Sequence, residues 1–118
     1  MNHNFYALID AVARQYPNKI CLDDDNGRSL SFAGLLSLTS QISAFLRAAG
    51  ISPGERVVVQ TEKTFFGVAL YLACLRCGII YIPLNTSYTS EEVEYFLGDA
   101  GPRLFVCDSS SLEKLQTR

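Results

Sequence analysis

Apolar positions along this chain alternate between helical spacing and short unbroken runs. In "FYALIDAVARQY" (5–16), Phe5, Leu8, Ile9, Val12 and Tyr16 recur at helical spacing, and Pro17 ends the run. "KICLDDDNGRSLSF" predicts a β-hairpin, with Asn26-Gly27 supplying the positive backbone angles of a two-residue turn. Ser31 predicts the cap of a second helix, whose inner face is Leu35, Leu36, Leu38, Ile42, Phe45 and Leu46 and whose stop is Gly50. Pro53 and Gly54 suit the second and third positions of a type II turn. From Arg56 to Gln60 the run Val57, Val58, Val59 has the pattern of a strand covered on both faces.

Residues 63–77 predict a helix that is apolar nearly all round and ends at Gly78. "LRCGIIYIPLNTSYTSEEVEYF" (75–96) then predicts a helix end, a buried strand over 79–84, a polar loop and a new helix. Thr89 with Glu92 forms a capping box, and Tyr88 with Val93 a hydrophobic staple. "RLFVCD" predicts a last strand, and a helix is expected to begin near Ser110. Helices and strands in this order predict an α/β fold with a mostly parallel sheet, helices on both faces and an N-terminal hairpin. A helix with no polar side, and a last helix with no cap before Arg118, lead us to expect an incomplete domain.

Composition narrows the classes of function. At 118 residues, 48% hydrophobic and 19% charged, the chain has the size and core content of one domain. A formal charge of -2 provides no basic stripe for nucleic acid or anionic membrane. The twenty residues 65–84 are nearly uncharged, yet Arg76 at their middle would cost roughly 2.5–3.5 kcal/mol in a bilayer, and Gly78 breaks the run, so no membrane span is expected. No signal peptide pattern opens the sequence, which points to a cytoplasmic protein with four free thiols.

Each candidate for chemistry has a simpler account. Cys74 and Cys77 make a CxxC in a helix's last turn, where the dipole disfavours thiolate; zinc would also require Cys21 and Cys107 to converge on them. Asp23-Asp24-Asp25 resembles the acidic cluster of a phosphorelay receiver, but it lies at a hairpin tip, and Gln60-Thr61 stands where a receiver's acceptor Asp belongs. His3, the lone histidine, lies in the terminal segment, and Glu62 and Lys63 read as first-turn residues. No phosphate-binding glycine loop is present. The uncharged loop after the strand at 79–84 lies where α/β proteins bind ligands, but its composition is that of scaffold.

Three stretches carry a family resemblance. "SLSFAGL" (29–35) is similar to the first core motif of the adenylate-forming (AMP-binding) acyl-CoA synthetase superfamily, and "LRCGIIYIPLN" (75–85) to the second. "GISPGERVVV" between them resembles the linker of that superfamily, with Glu55 in place of the usual Asp. Departures are Phe32, Gly34, Cys77 and Ile80, of which Gly34 costs helix propensity of roughly 1 kcal/mol. "QTEKT", "YIPLNTSYT", "EYF" and "VCD" look most like the malonyl-CoA synthetase branch. The resemblance implies that residues 1–118 are the N-terminal portion of an AMP-binding domain, with no complete second domain. It implies a parent acid-thiol ligase of fatty acid metabolism that joins malonate or a similar short acid to CoA, using ATP and Mg²⁺ and releasing AMP and pyrophosphate. The partner is then the remainder of the synthetase chain. No catalytic, cofactor-binding or metal residue carries over, so the 118 residues alone are expected to be inactive. The competing expectation is a non-catalytic α/β module that pairs with a separate partner.

Overall fold

A computed structural model of the chain describes residues 5–24, 26–61 and 64–108. Helix α1 (Phe5–Gln15) leads to strands β1 (Ile20–Asp23) and β2 (Ser29–Ser31), helix α2 (Phe32–Ala48) and strand β3 (Arg56–Gln60). Helix α3 (Phe65–Cys77), strand β4 (Ile80–Pro83), helix α4 (Ser90–Ala100) and strand β5 (Leu104–Cys107) follow. β1 and β2 pair antiparallel, while β4, β3 and β5 form a parallel sheet with β3 in the middle. His3, Asp25, Glu62, Lys63 and the helix expected from Ser110 lie outside the described residues.

The strand order puts the two crossovers on opposite faces. The chain steps from β3 to β4 in one direction and returns past β3 to β5, and right-handed connections in opposite directions need opposite faces. Alternation along β3 agrees. Val57 and Val59 join one core with Leu35, Ile42 and Leu46 of α2 and with Leu70, Leu72 and Ala73 of α3. Val58, just as buried, points the other way and lines a recess of about 320 Å³ with Ile82, Leu84 and Phe96 of α4. Each such valine stabilises the sheet by about 1.5–3 kcal/mol relative to exposure.

Helix α1 packs a different face from the one its pattern predicts, whereas α2 buries Leu35, Ile42 and Leu46 of its predicted face and departs at Phe45. In α1, Tyr6, Ile9 and Ala13 turn inward, while Phe5 and Leu8 are 49% and 62% exposed and Val12 and Tyr16 also face solvent. Ile9 borders both stripes, and the small Ala13 lets α1 lie close across α2 and α3. In α2 the buried stripe is Leu35, Thr39, Ile42, Ser43 and Leu46, and Phe45 is 60% exposed. Phe45 sits about a quarter-turn from Leu46 on the helix surface, too far round to share its contacts. Ser43 enters the buried stripe because its hydroxyl donates to the Thr39 carbonyl (2.9 Å).

Local signals place most element ends. Ser31, Thr64 and Thr89 cap α2, α3 and α4 by accepting from the backbone N–H three residues on, and Thr89 completes the capping box with Glu92. Gly78 ends α3 in the left-handed region (φ 71°). The type II turn forms as expected, with Glu55 N–H donating to the Ser52 carbonyl (3.1 Å) and Gly54 at φ 87°. The hairpin differs. Among the described residues there, Gly27 has positive φ and Asn26 does not, and the reversal closes between Asp24 and Arg28, a longer loop than an Asn-Gly pair makes. Asp24 explains the change: its Oδ1 accepts from the N–H groups of Asn26 and Arg28, both at 2.9 Å. No helix of the described residues is long and apolar enough to cross a membrane.

Candidate functional site at the carboxyl edge of the sheet

Gln60, Pro83 and Cys107 end three parallel strands side by side, the place where α/β sheets usually present ligand sites. Gln60 closes the valine run of β3 and is itself 2% exposed. Its Nε2 donates to the Asn85 carbonyl at 2.9 Å, tying the central strand to the β4–α4 loop. The same carbonyl accepts from Tyr88 N–H (3.1 Å), and Leu84 N–H donates to Val59 (2.8 Å). Asn85 Oδ1 accepts from both the N–H and the hydroxyl of Ser87, each at 2.8 Å. Thr89 and Glu92 satisfy each other's backbone groups, and the Tyr88 ring stacks on Phe96 at 5.2 Å. The polar groups named here hold the loop's shape, and no charged side chain lies among 84–89.

The other candidates fall into structural roles. Cys74 is fully buried, and burial together with Cys77 pushes its thiol up to about 11, far from a reactive thiolate. Burial also raises the Cys21 and Cys107 thiols. Arg76, between Cys74 and Cys77 in sequence, lies over the Tyr6 ring (5.7 Å) and donates to Ser40 Oγ (2.9 Å). Among the described residues no three His, Cys, Asp or Glu side chains group to hold a metal ion. The Asp24 carboxyl is held below its usual range by the Arg28 and Asn26 N–H groups and the Arg28 guanidinium, as befits a turn organiser. An open cleft of about 760 Å³ lies between that hairpin and the start of α3, floored by Leu22, Phe65, Phe66 and Val68.

Sequence reasoning noted Gln60 only as the residue standing where a receiver needs Asp. Its tie to Asn85 had one signal, a polar side chain ending an apolar run, and no partner could be named without the strand order. The amino edge is built with similar economy. Glu55 accepts from Ser52 N–H (2.7 Å) and pairs with Arg103 (3.2 Å), while Arg56 donates to the last α4 carbonyl, Ala100 (3.1 Å).

The class of fold is a parallel α/β sheet in which the loop after β4 is held by its own hydrogen bonds and by Gln60 of the middle strand. The profile of the AMP-binding enzymes matches residues 9–118, and the chain belongs to that family. The hybrid PKS-NRPS synthetase LUC5 of a Fusarium species is 36% identical over 92% of this chain and 3% of its own length. ATP-bound MatB of Rhodopseudomonas palustris is 36% identical and superposes with a TM-score of 0.88 over 99% of this chain and 23% of its own. VinN, solved in complex with L-aspartate, superposes with a TM-score of 0.88 at 27% identity, over 95% of this chain and 32% of its own. The chain thus spans about a third or less of each protein it matches here.

Proposed function

We propose that these residues are the N-terminal portion of an AMP-binding domain in an ATP-dependent acyl-CoA synthetase that activates malonate or a similar short acid. The observation that carries the reading is the likeness to ATP-bound MatB, continuous over 99% of this chain at 36% identity. Within this part, loop 84–89 serves as scaffold, and the acid, ATP with Mg²⁺, and CoA are held by residues elsewhere in the enzyme. The test is to incubate the natural product that carries this sequence with ATP, Mg²⁺, CoA and malonate. Malonate-dependent pyrophosphate release and a malonyl-CoA mass are expected. Absence of any acid-dependent pyrophosphate release would overturn the reading.

A second reading of the acid has its own support. VinN binds L-aspartate, so an amino acid is the next substrate class, and release of pyrophosphate with aspartate but not malonate would select it. The non-catalytic alternative requires a native product of about the 13.0 kDa of this chain, recovered with a separate partner.

A further inference from the structure

Helix α1 carries two apolar stripes and buries one of them. Tyr6, Ile9 and Ala13 turn toward α2 and α3, while Phe5, Leu8, Val12 and Tyr16 stand outside that packing, each at least 40% exposed. Tyr16 lies just past the end of α1, but its N–H donates to the Val12 carbonyl (2.8 Å), so it continues the helical turn. At about 100° per residue, the four fall within an arc of roughly 80°. No charge shares that arc. Asp10 and Arg14 follow Leu8 and Val12 by two residues, which turns them to the far side of the helix, where they pair with each other (2.9 Å). Ala11 and Gln15, exposed on the flank of the stripe, are uncharged as well. Contiguous apolar surface of this kind marks an interaction site.

The order of the side chains selects the partner. Along the helix axis the stripe reads aromatic, aliphatic, aliphatic, aromatic, the same in either direction. With a rise of about 1.5 Å per residue, an antiparallel copy of the helix brings its Tyr16 level with Phe5 and its Val12 within about 1.5 Å of the level of Leu8. Each contact then occurs twice, as a two-fold axis requires. Aromatic rings meet at both ends, aliphatic side chains meet in the middle, and the two helix dipoles oppose each other favourably.

We propose that α1 is a dimerisation helix, its outward stripe docking on α1 of a second copy of this chain, antiparallel about a two-fold axis. A patch that meets another part of its own polypeptide has no need to match its own reverse, whereas an isologous interface does. Area sets the strength. Four side chains exposed to this degree, with their flanks, bury roughly 1,000 Å² over both copies, the low end for a specific interface. The dimer therefore dissociates in the micromolar range. It forms whichever acid the enzyme activates.

Sedimentation velocity on the natural product that carries this sequence, from about 1 to 100 µM, tests it. A monomer–dimer equilibrium is expected across that range. Leu8→Glu sets a carboxylate against Val12 of the copy at both symmetry-related contacts and should weaken the dimer at least about tenfold. The urea midpoint of the monomer, measured at the dilute end, should not move. Adding Val12→Lys to the same chain places opposite charges across the axis twice and should restore most of the affinity. A monomer at every concentration would overturn the proposal, as would a dimer that Leu8→Glu leaves intact. Loss that Val12→Lys does not reverse would overturn the antiparallel pairing and the proposal with it. A monomer destabilised by Leu8→Glu would overturn it too, because the stripe would then be covered by its own polypeptide. Sedimentation needs no turnover, so failure of the proposed activity would leave this inference standing.

Discussion

Thr39 has no accessible surface, and its hydroxyl finds no partner among the described residues. A buried hydroxyl left unbonded costs roughly 1–3 kcal/mol, and valine has nearly the same shape without that oxygen. Thr39→Val should therefore raise stability by about 1 kcal/mol, read as a higher urea midpoint at unchanged slope. Cys74 sets a pH limit. Its folded thiol ionises only near 11, so between the ordinary thiol range and that value the unfolded chain has lost a proton that the folded chain keeps. Stability must then fall as pH rises through this window, and Cys74→Ala should flatten part of that slope in urea titrations. Cys21 and Cys107 shift in the same direction, so some slope remains in the variant. Gly34 also makes sense at this scale. A Cβ there would stand 2.8 Å from Leu30 Cδ1, so a larger residue would displace that leucine from the core margin.

Elements meet at a few tight junctions, and these can be broken singly. The stop of α3 docks on the turn before β3: Gly54 N–H donates to the Gly78 carbonyl (2.9 Å), and a Cβ on Gly78 would lie 3.4 Å from Pro53. With φ at 71° as well, Gly78→Ala should cost about 1–2 kcal/mol in urea unfolding. Gln60→Leu removes the tie to Asn85 and should speed exchange of the Ser87 and Tyr88 amides about tenfold while the centre of β3 stays protected. These junctions also show what sequence could and could not carry. The Ser31 and Thr89 caps and the Gly78 stop were legible because each acts on backbone within a few residues of itself, whereas the Thr64 cap was missed because the predicted helix already includes Thr64. The outward stripe of α1 was not legible, since Ile9 serves either face and only packing on α2 and α3 decides between them. The hairpin length was missed because the Asp24 carboxyl, collecting N–H groups from Asn26 and Arg28, outweighed the turn preference of Asn-Gly. The family was legible in its motifs, but the Gln60–Asn85 contact links positions 25 apart in sequence and needs the strand order.

As a whole the described residues carry apolar surface that their own packing leaves exposed. Leu70 and Leu72 are buried, but Phe66 is 45% exposed, and Val68 and Tyr71 are each 36% exposed. The isolated chain should therefore bind an apolar dye strongly and self-associate in sedimentation. A monodisperse, dye-silent monomer would show that this surface needs no cover. The position of β3 has a separate consequence, for synthesis on the ribosome. The middle strand of the sheet is the first of the three to be made, and its neighbours β4 and β5 both come later. At about 5–20 residues per second, Val57 to Val59 must wait for seconds before Cys107 is even joined to the chain. Nascent chains stalled just after β3 should thus be the ones that chaperones hold most tightly, and those released after β5 the least.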